Sequence, residues 1–429
     1  MSRVHKDSPT AILPQYSLWE IPGTQDTVLD ERTVIIRPIS TFSSSTPTRF
    51  EIRPPIDEYV MLNESELFLL MKVTLKKGNA AALTKNDWEN ITPVPNLLHS
   101  IFKFVSLSIN GRQINLSPSI YSYRAYLETL LGFTDDAKKG ALDCVGWSDP
   151  KTLLKAGINS AKESESYIDL TGPLHLDLTF QEKIMLGGTP LTLELVPHDP
   201  SFYFKGKNGF TVDVEFQDIY FKCQRMLTSP DVVRAHNQTL ASHMAIYSYT
   251  RTEVKHRTIP ANVNDYILDN LFTGILPRRI FIAFVSNNAF NGIGNESPYD
   301  FKPYGINFLA SYVNGKQVPL MPFQPDFDNG ITVREFRGLY RALNQTGTDA
   351  HYTVTREAWR KSPIYGINYA VDLSNGGSFS SHVNVRTEGQ LSLHVKFKTK
   401  NADPIVCIIM SETDSCFEID SVRNVYCES

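Results

Sequence analysis

One phrase of this sequence occurs twice and decides the fold. Val105-Ser-Leu-Ser-Ile-Asn110-Gly111-Arg112-Gln113-Ile114 returns 204 positions later as Leu309-Ala-Ser-Tyr-Val-Asn314-Gly315-Lys316-Gln317-Val318. Each copy is an alternating apolar run that ends in Asn-Gly, the strongest short-range signal of a β-hairpin. The repeat predicts two equivalent hairpins in a duplicated chain, with a chance recurrence of Asn-Gly as the alternative. The structural or interface positions that it singles out are Asn110, Gly111, Gln113, Asn314, Gly315 and Gln317.

A helix-like segment that carries an arginine follows each hairpin. In the first, apolar residues recur at helical spacing on one face, Ser117-Pro118 offers an N-cap with a proline after it, and Gly132 offers the stop. That face comprises Tyr123, Tyr126, Leu127, Leu130 and Leu131.

The second helix is predicted to begin at Thr332, with Glu335 three positions later as a capping box. Its apolar face is predicted to comprise Val333, Phe336, Tyr340 and Leu343. We expect both helices to cover sheet edges, and their polar residues to remain available for contacts between neighbouring units. The interface candidates on the two helices are Arg124, Glu128, Arg334 and Arg337.

Strand signals dominate the remaining sequence. Apolar residues alternate with other residues in five clear segments, 67–75, 174–180, 191–195, 212–216 and 391–397. In the second segment, His175, Asp177 and Thr179 occupy the predicted polar face, which places His175 at the surface or at a sheet edge. Period two with one polar face is typical of antiparallel sheets with one solvated side, so the sequence predicts an all-β fold of sandwiches or barrels.

The length of 429 residues exceeds what one hydrophobic core usually supports, so two domains are expected. A polar segment after Ser229-Pro230 lacks strand alternation, and a new strand pattern begins near Ala245. We therefore predict an N-terminal arm at 1–28, a first β-domain at 29–228, a linker at 229–243 and a second β-domain with a short tail at 244–429.

Composition and motifs argue against several functional classes. The net charge is −4, and no cluster of cations indicates a nucleic-acid surface. No apolar run is long enough to cross a bilayer, and the first residues lack the apolar region of a secretory signal, so Sec export is not expected. The five cysteines form no C-x-x-C pair and are expected to be reduced thiols.

No catalytic constellation, cofactor motif or metal site emerges from the sequence. No histidine lies two residues from another, which excludes the H-x-H pair of metal-dependent jelly-roll enzymes. His236 and His243, in the predicted linker, are poor metal candidates. Asp326-Phe-Asp328-Asn329-Gly330 resembles the start of a calcium loop, but Arg337 stands where the bidentate Glu is required. A polar turn is the simpler interpretation.

Several segments resemble a known family in the same order along residues 97–425. They are Leu98-His-Ser-Ile-Phe102, Ser108-Ile-Asn-Gly111, Tyr121-Ser-Tyr-Arg-Ala-Tyr-Leu-Glu-Thr-Leu-Leu131, Asp136-Ala-Lys-Lys139, Thr258-Ile-Pro260, Leu268-Asp-Asn-Leu-Phe272, Leu276-Pro-Arg-Arg279, the run from Phe301-Lys302 to Asn314-Gly-Lys-Gln-Val-Pro319, and Phe417-Glu-Ile-Asp-Ser-Val-Arg-Asn-Val425. Together they are similar to the hexon-like major capsid protein of Maverick/Polinton elements and adintoviruses.

This resemblance implies a double jelly roll, in which two eight-stranded antiparallel β-sandwiches stand side by side with a few short helices in their loops. It also implies a homotrimeric, pseudo-hexagonal capsomer that contacts neighbouring capsomers and a penton-type minor capsid protein. The protein would then be located in the virion, made inside the host cell, with no enzymatic activity, no cofactor and no sequence-specific contact with nucleic acid.

Three alternatives remain open at this point. A jelly-roll carbohydrate binder or hydrolase is one, although its usual cluster of exposed Trp is missing because Trp19, Trp88, Trp147 and Trp359 are scattered. A host gene descended from such a capsid gene is the second. A penton-type minor capsid protein is the third, and it would carry a single jelly roll instead of a duplicated unit.

Overall fold

The computed structural model of the chain describes residues 5–40, 42–43, 45–78, 83–114, 120–147, 150–207, 209–344, 354–370 and 384–427. Its strands are β1 (Val28–Ile36), β2 (Thr48–Ile52), β3 (Glu58–Lys77), β4 (Ile91–Pro93), β5 (Phe102–Ile109), β6 (Arg112–Gln113), β7 (Glu165–Gly172), β8 (Leu191–Pro197), β9 (Phe204–Gly206), β10 (Phe210–Thr228), β11 (Ala245–Ile259), β12 (Asp265–Ile275), β13 (Arg279–Ser286), β14 (Ile306–Val313), β15 (Lys316–Phe323), β16 (Ile364–Asn368), β17 (Glu388–Phe397), β18 (Ile405–Ile419) and β19 (Val425–Cys427).

Short helices occupy the connections between these strands. The α-helices are α1 (Leu97–Ser100), α2 (Tyr121–Gly132), α3 (Asp135–Lys139), α4 (Pro150–Ala156), α5 (Pro200–Tyr203), α6 (Pro230–Leu240), α7 (Asn287–Phe290), α8 (Val333–Ala342) and α9 (Arg356–Lys361), and 3-10 helices span Pro14–Tyr16, Lys85–Asn90 and Ala141–Val145. Within the described residues, no helix is both long enough and apolar enough to cross a membrane.

The two halves of the chain have the same sheet topology. In the first half, one sheet has the order β1-β10-β3-β7 and the other has the order β2-β8-β5-β6. In the second half the corresponding orders are β11-β18-β13-β16, with β19 added to β18, and β12-β17-β14-β15. The eight strands named in this order in one half therefore have counterparts at the same sheet positions in the other half, and β19 and the short two-stranded sheet of β4 and β9 lie outside this correspondence. This arrangement confirms the predicted pair of eight-stranded antiparallel jelly rolls.

The repeated phrase forms the two predicted hairpins. Asn110 and Gly111 have φ angles of 47° and 77°, and Asn314 and Gly315 have φ angles of 49° and 77°. Two successive positive φ values are the signature of a type I′ turn, whose twist matches that of the flanking strands. The turns join β5 to β6 and β14 to β15, which are equivalent strands. The duplication seen in the sequence is therefore a duplication of structure.

The alternating strand patterns place apolar side chains in the core. Along β17, Leu391, Leu393, Val395 and Phe397 are buried, whereas Ser392, His394 and Lys396 are half-buried on the other face, as predicted. Strands β3, β8 and β10 follow the same period over the segments predicted for them. Each strand with one buried face contributes apolar surface that is removed from water, which is the dominant stabilising effect in such a fold.

The segment 174–180 is not the strand that its alternation predicts. It is an irregular, turn-containing connection, and its polar residues are buried along with its leucines: His175, Asp177 and Thr179 are only 3%, 6% and 4% exposed. The hydroxyl of Thr179 closes the turn by hydrogen bonding with the backbone of Leu174 and Leu176. The prediction that His175 lies at the surface was wrong. The polar residues of this segment point into the protein, where they hydrogen bond with other polar groups.

The two predicted helices exist, with different beginnings. Helix α2 ends at Gly132 as predicted, whereas Ser117 and Pro118 lie outside the described residues. The capping box predicted for α8 is absent: the hydroxyl of Thr332 is buried without a hydrogen-bond partner, and Glu335 Oε1 accepts a hydrogen bond from the backbone N–H of Gln324 at 2.9 Å. Val333, which was predicted to face the core, is 55% exposed.

The predicted linker contains a helix that the sequence pattern did not reveal. Helix α6 begins at Pro230, and the following strand, β11, begins at Ala245, where the second strand pattern was predicted to start. Proline at the first helical position is favourable because its missing N–H would have no partner there. The helix is mostly exposed, and Leu240 at its end is buried.

Candidate interaction surfaces and the seam between the jelly rolls

Helix α2 lies in the seam between the two jelly rolls, where aromatic residues from both halves meet. Tyr126 stacks on Tyr299 with ring centroids 4.1 Å apart, and Tyr123 stacks on Phe290 at 5.5 Å. The Tyr299 hydroxyl also forms a hydrogen bond of 2.7 Å with Ser100 Oγ. The segment between β13 and β14, which carries Phe290 and Tyr299, is therefore packed onto the helix that follows the first repeated hairpin.

Two of the predicted interface residues, Arg124 and Glu128, belong to a buried ionic cluster in this seam. Arg124 Nε donates to Glu128 Oε1 at 2.9 Å, and Arg124 Nη2 lies 2.7 Å from Asp177 Oδ1. The same Asp177 oxygen accepts a hydrogen bond of 3.1 Å from the backbone N–H of Thr252, on β11 of the second half. The side chains of Arg124, Glu128 and Asp177 are 4%, 17% and 1% exposed.

This geometry corrects the expectation that Glu128 stays available for contacts with neighbouring units. One carboxylate oxygen is held by Arg124, and the other lies 2.8 Å from His175 Nδ1. The pair Arg124 and Glu128 has the i, i+4 spacing of a helical ion pair, but it faces into the protein. Within one chain, the cluster fastens the first jelly roll to the second.

Burial and charge oppose each other within the cluster. Burial raises the pKa of Glu128, but the charge of Arg124 and the hydrogen bond with His175 outweigh it, so the net pKa is below the usual value. For Asp177 burial is the stronger effect, and it raises the pKa despite the attraction of Arg124. Burial, together with the nearby His175, lowers the pKa of His99 well below its usual value.

The cluster contains an arrangement that superficially resembles a catalytic triad. Thr129 Oγ1 lies 3.2 Å from His175 Nε2, and Glu128 holds the other ring nitrogen. A nucleophile, a base and an orienting carboxylate in this order are typical of acyl-transfer enzymes. However, Thr129 is 1% exposed and His175 is 3% exposed, so a substrate has no access to either. We interpret the arrangement as structural.

The hairpin residues fall into two environments. Asn110 Nδ2 donates to the backbone oxygen of Arg423 at 3.0 Å, so the first hairpin contacts the C-terminal part of the second half. Asn314 Oδ1 instead accepts from the backbone N–H of Gln390 at 2.8 Å, and Gln317 donates to the backbone oxygen of Leu320, both within the second jelly roll. Gln113 is exposed at the end of β6. Equivalent turns therefore have different neighbours.

The predicted interface arginines of the second helix remain at the surface. Arg334 is exposed and donates to the backbone oxygen of Pro322 at 2.8 Å, and Arg337 is exposed on the same helix. Large apolar side chains surround this end of α8. Those on β15 and around the start of α8 with high exposure are Leu320 (91%), Met321 (66%), Ile331 (66%) and Val333 (55%).

A second exposed apolar surface lies on the N-terminal arm. Its large side chains have high exposed fractions: Ile12 79%, Leu13 62%, Tyr16 69%, Leu18 74%, Trp19 88% and Ile21 92%. Contiguous exposed apolar surface of this kind usually marks an interaction site. The sequence pattern does not single out this surface, because apolar residues without a helical or strand period carry no fold signal.

The remaining sequence candidates have plain structural roles. His236 Nδ1 lies 2.9 Å from the Tyr59 hydroxyl, and no group of three or more His, Cys, Asp or Glu side chains among the described residues could hold a metal ion. Asp326 closes the predicted polar turn by accepting hydrogen bonds from the backbone and side chain of Asn329. The cysteines are free thiols, two of them buried.

Sequence comparisons find one clear relative but no family. No protein-family model matches the chain. The uncharacterized protein F54H12.2 of Caenorhabditis elegans is 24% identical over 423 residues, which cover 95% of this chain and all of that protein. The two sequences are therefore similar along nearly their whole length.

Structural comparisons show the fold over the full chain. A chain in the cryo-EM structure of the Sputnik virophage matches with a TM-score of 0.62 at 12% identity and covers 100% of this chain and 94% of its own length. The Faustovirus major capsid protein gives 0.61 at 8% identity, covering 95% and 92%, and the mavirus major capsid protein gives 0.53 at 8% identity, covering 100% and 97%. The chain thus has the double jelly-roll fold of major capsid proteins.

Proposed function

We propose that this protein is a major capsid protein that forms trimeric, pseudo-hexagonal capsomers of an icosahedral DNA virus or a virus-like transposable element. The observation that carries the proposal is the duplicated strand order, in which two eight-stranded jelly rolls of one chain match capsid proteins over the full length of both. The mavirus and Faustovirus neighbours named above are major capsid proteins, and the buried seam cluster gives no substrate access.

A closed trimer follows from this architecture by symmetry. Two similar jelly rolls per chain give six similar units around a threefold axis, and a closed ring leaves no interface unsatisfied. An obligate interface of this kind buries on the order of 2,000 Å² or more between subunits. The exposed apolar residues of the arm and of the region around α8 are available for such contacts.

The finer assignments belong to the same proposal. We assign the arm to 1–28, the first jelly roll to 29–228, the linker to 229–243 and the second jelly roll with its tail to 244–429. We place the chain with Maverick/Polinton elements and adintoviruses because of the motifs described above, and the full-length relative in an animal supports an element that resides in animal genomes. The further partners would be neighbouring capsomers and a penton-type minor capsid protein, in the virion.

The same relative favours one alternative, a capsid gene that a host has recruited for another role. Both readings share the fold and differ in assembly. Light scattering after size-exclusion chromatography of the purified chain is expected to give about three times the chain mass of 48.4 kDa, and negative-stain microscopy is expected to show hexagonal capsomers or shells. A stable monomer at micromolar concentration would contradict the capsid function and favour the recruited protein.

A further inference from the structure

A cavity of about 420 Å³ opens beside the linker helix α6. Its walls come from four parts of the chain: Tyr59 of β3, Ile184 and Leu186 before β8, Thr239 and Leu240 of α6, and Met244 and Ile246 around the start of β11. Met244 and Ile246 are 44% and 54% exposed, so apolar surface at the mouth of the cavity faces solvent. The site is large enough for an aromatic side chain.

The walls of this cavity are held in place by hydrogen bonds. The Tyr247 hydroxyl donates to the backbone oxygen of Ile184 at 3.2 Å and accepts from the backbone N–H of Leu186 at the same distance. Tyr59 fixes His236 through a hydrogen bond of 2.9 Å. The cavity is therefore formed before any partner arrives, which reduces the entropy lost on binding.

The rim of the cavity has a basic character. Lys183 donates to the backbone oxygen of Ile246 at 3.0 Å, and His236 and His243 also line the cavity. Among the described residues that line the cavity, none is acidic. An apolar side chain flanked by a carboxylate would be complementary to this site in both polarity and charge.

The N-terminal arm carries such a group. Trp19 is 88% exposed and is followed directly by Glu20, and Leu18 and Ile21 on either side are also exposed. The root of the arm lies at the linker helix, because the backbone N–H of Ser229, which precedes α6, donates to the oxygen of Thr27 at 2.8 Å. The eight residues from Thr27 to Trp19 can extend about 26 Å from this root.

We propose that Trp19 from the arm of a second copy of this chain inserts into the cavity beside α6, with Glu20 facing Lys183 at the rim. The inference rests on the proposed function, since it needs assembled copies. Within one chain the arm does not cover the cavity, because Trp19 and the mouth residues Met244 and Ile246 are all exposed. Each copy carries one arm and one cavity, so in a closed ring every arm has an equivalent site on a neighbour.

A photo-crosslinking experiment on the full-length chain tests this contact. Benzoyl-phenylalanine replaces Trp19, and the unlabelled variant is assembled with an excess of ¹⁵N-labelled chain. The expected product after irradiation joins the unlabelled arm to a labelled peptide that contains residues 236–247. Met244→Lys in the labelled chain is expected to remove most of this product. Ile267→Lys, a change at a 52% exposed position of β12, is the matched control and should retain it.

Three other outcomes would contradict the proposed contact. They also distinguish a failure of this docking site from a failure of the proposed capsid function. Crosslinks to residues 236–247 of the unlabelled chain alone would mean that the arm binds its own cavity. Normal trimers or shells with crosslinks elsewhere would overturn the docking site and leave the capsid function standing. A chain that stays monomeric would overturn both.

Discussion

Tyr126 of the first jelly roll and Tyr299 of the second stack face to face, with centroids 4.1 Å apart and ring planes within 3° of each other. Each ring contacts further aromatic groups, among them Trp147 beside Tyr126 and Tyr123 beside Tyr299. The two halves of the chain therefore share a packed core at the seam. The two jelly rolls are expected to unfold together, since neither can separate without exposing this cluster.

Truncating Tyr299 tests that coupling. Because Tyr299 is 4% exposed, Tyr299→Ala is expected to lower the free energy of unfolding by about 3–5 kcal/mol, the usual effect of removing a large buried aromatic ring. Tyr299→Phe keeps the ring and loses the hydroxyl's hydrogen bonds with Ser100 Oγ and the backbone oxygen of Ser122, so a loss of about 1–2 kcal/mol is expected. Urea denaturation measures both. A second, separate unfolding transition in the native protein would contradict the shared core.

For the buried ionic cluster, we expect that removing one charge lowers the free energy of unfolding strongly, whereas removing all three charges lowers it only slightly. Arg124→Met leaves Asp177 and Glu128 buried without their cation and is expected to cost about 3–5 kcal/mol of unfolding free energy. The triple change Arg124→Met, Glu128→Gln, Asp177→Asn keeps the shapes without charges, and it should recover most of that loss. Lys361→Met, in an exposed pair with Glu357, is the control and should change stability by less than about 1 kcal/mol.

Glu128→Arg gives a sharper version of the same test. The structure shows that this change would place a second cation against Arg124 and His175. The variant is expected to be destabilised by several times the effect of Lys361→Met in the same urea titration. Unchanged stability of Glu128→Arg would show that the seam tolerates an unpaired charge.

The sequence was a good guide wherever local chemistry decides the structure. The turns at Asn110-Gly111 and Asn314-Gly315 follow from the positive φ angles that these residues tolerate, and β17 follows from strict alternation. It was a poor guide at Leu174 to Phe180, where His175 and Asp177 have their polar partners more than 40 positions away, on α2. The i, i+4 spacing of Arg124 and Glu128, read together with this polar alternation, is the signal that could have indicated the cluster.

The repeated turns provide a prediction about backbone conformation. Gly111 and Gly315 have φ of +77°, and an added methyl group would meet no atom within 4 Å at either position. Gly111→Ala and Gly315→Ala are therefore expected to destabilise only through the left-handed backbone, by about 1–2 kcal/mol each. Gly132 has equally open surroundings without a positive φ, so Gly132→Ala should be neutral or slightly stabilising. Equal effects at all three positions would contradict the type I′ assignment.

Because two histidines are buried, we expect the free energy of unfolding to fall as the solution is acidified. Burial, with a contribution from Lys103, lowers the pKa of His198 to about 3, and burial also lowers the pKa of His99 well below its usual value. Below the unfolded-state pKa of about 6.5, the unfolded chain binds protons at these two residues while the folded chain does not. The free energy of unfolding should therefore decrease from about pH 6.5 downward, by up to about 1.4 kcal/mol per pH unit for each histidine.

Urea titrations between pH 7 and pH 5.5 measure this slope, in a range more than about one unit above the pKa of ordinary carboxylates, so that their protonation contributes little. His198→Gln removes one imidazole that stacks on Phe202 at 3.9 Å, so its curve is expected to be shallower than that of the native protein, even if its stability at pH 7 is lower. His243→Gln, which removes an exposed imidazole, controls for the loss of a histidine as such. Parallel curves for the native protein and His198→Gln would contradict the assignment, because the proton uptake on unfolding would then originate at other residues.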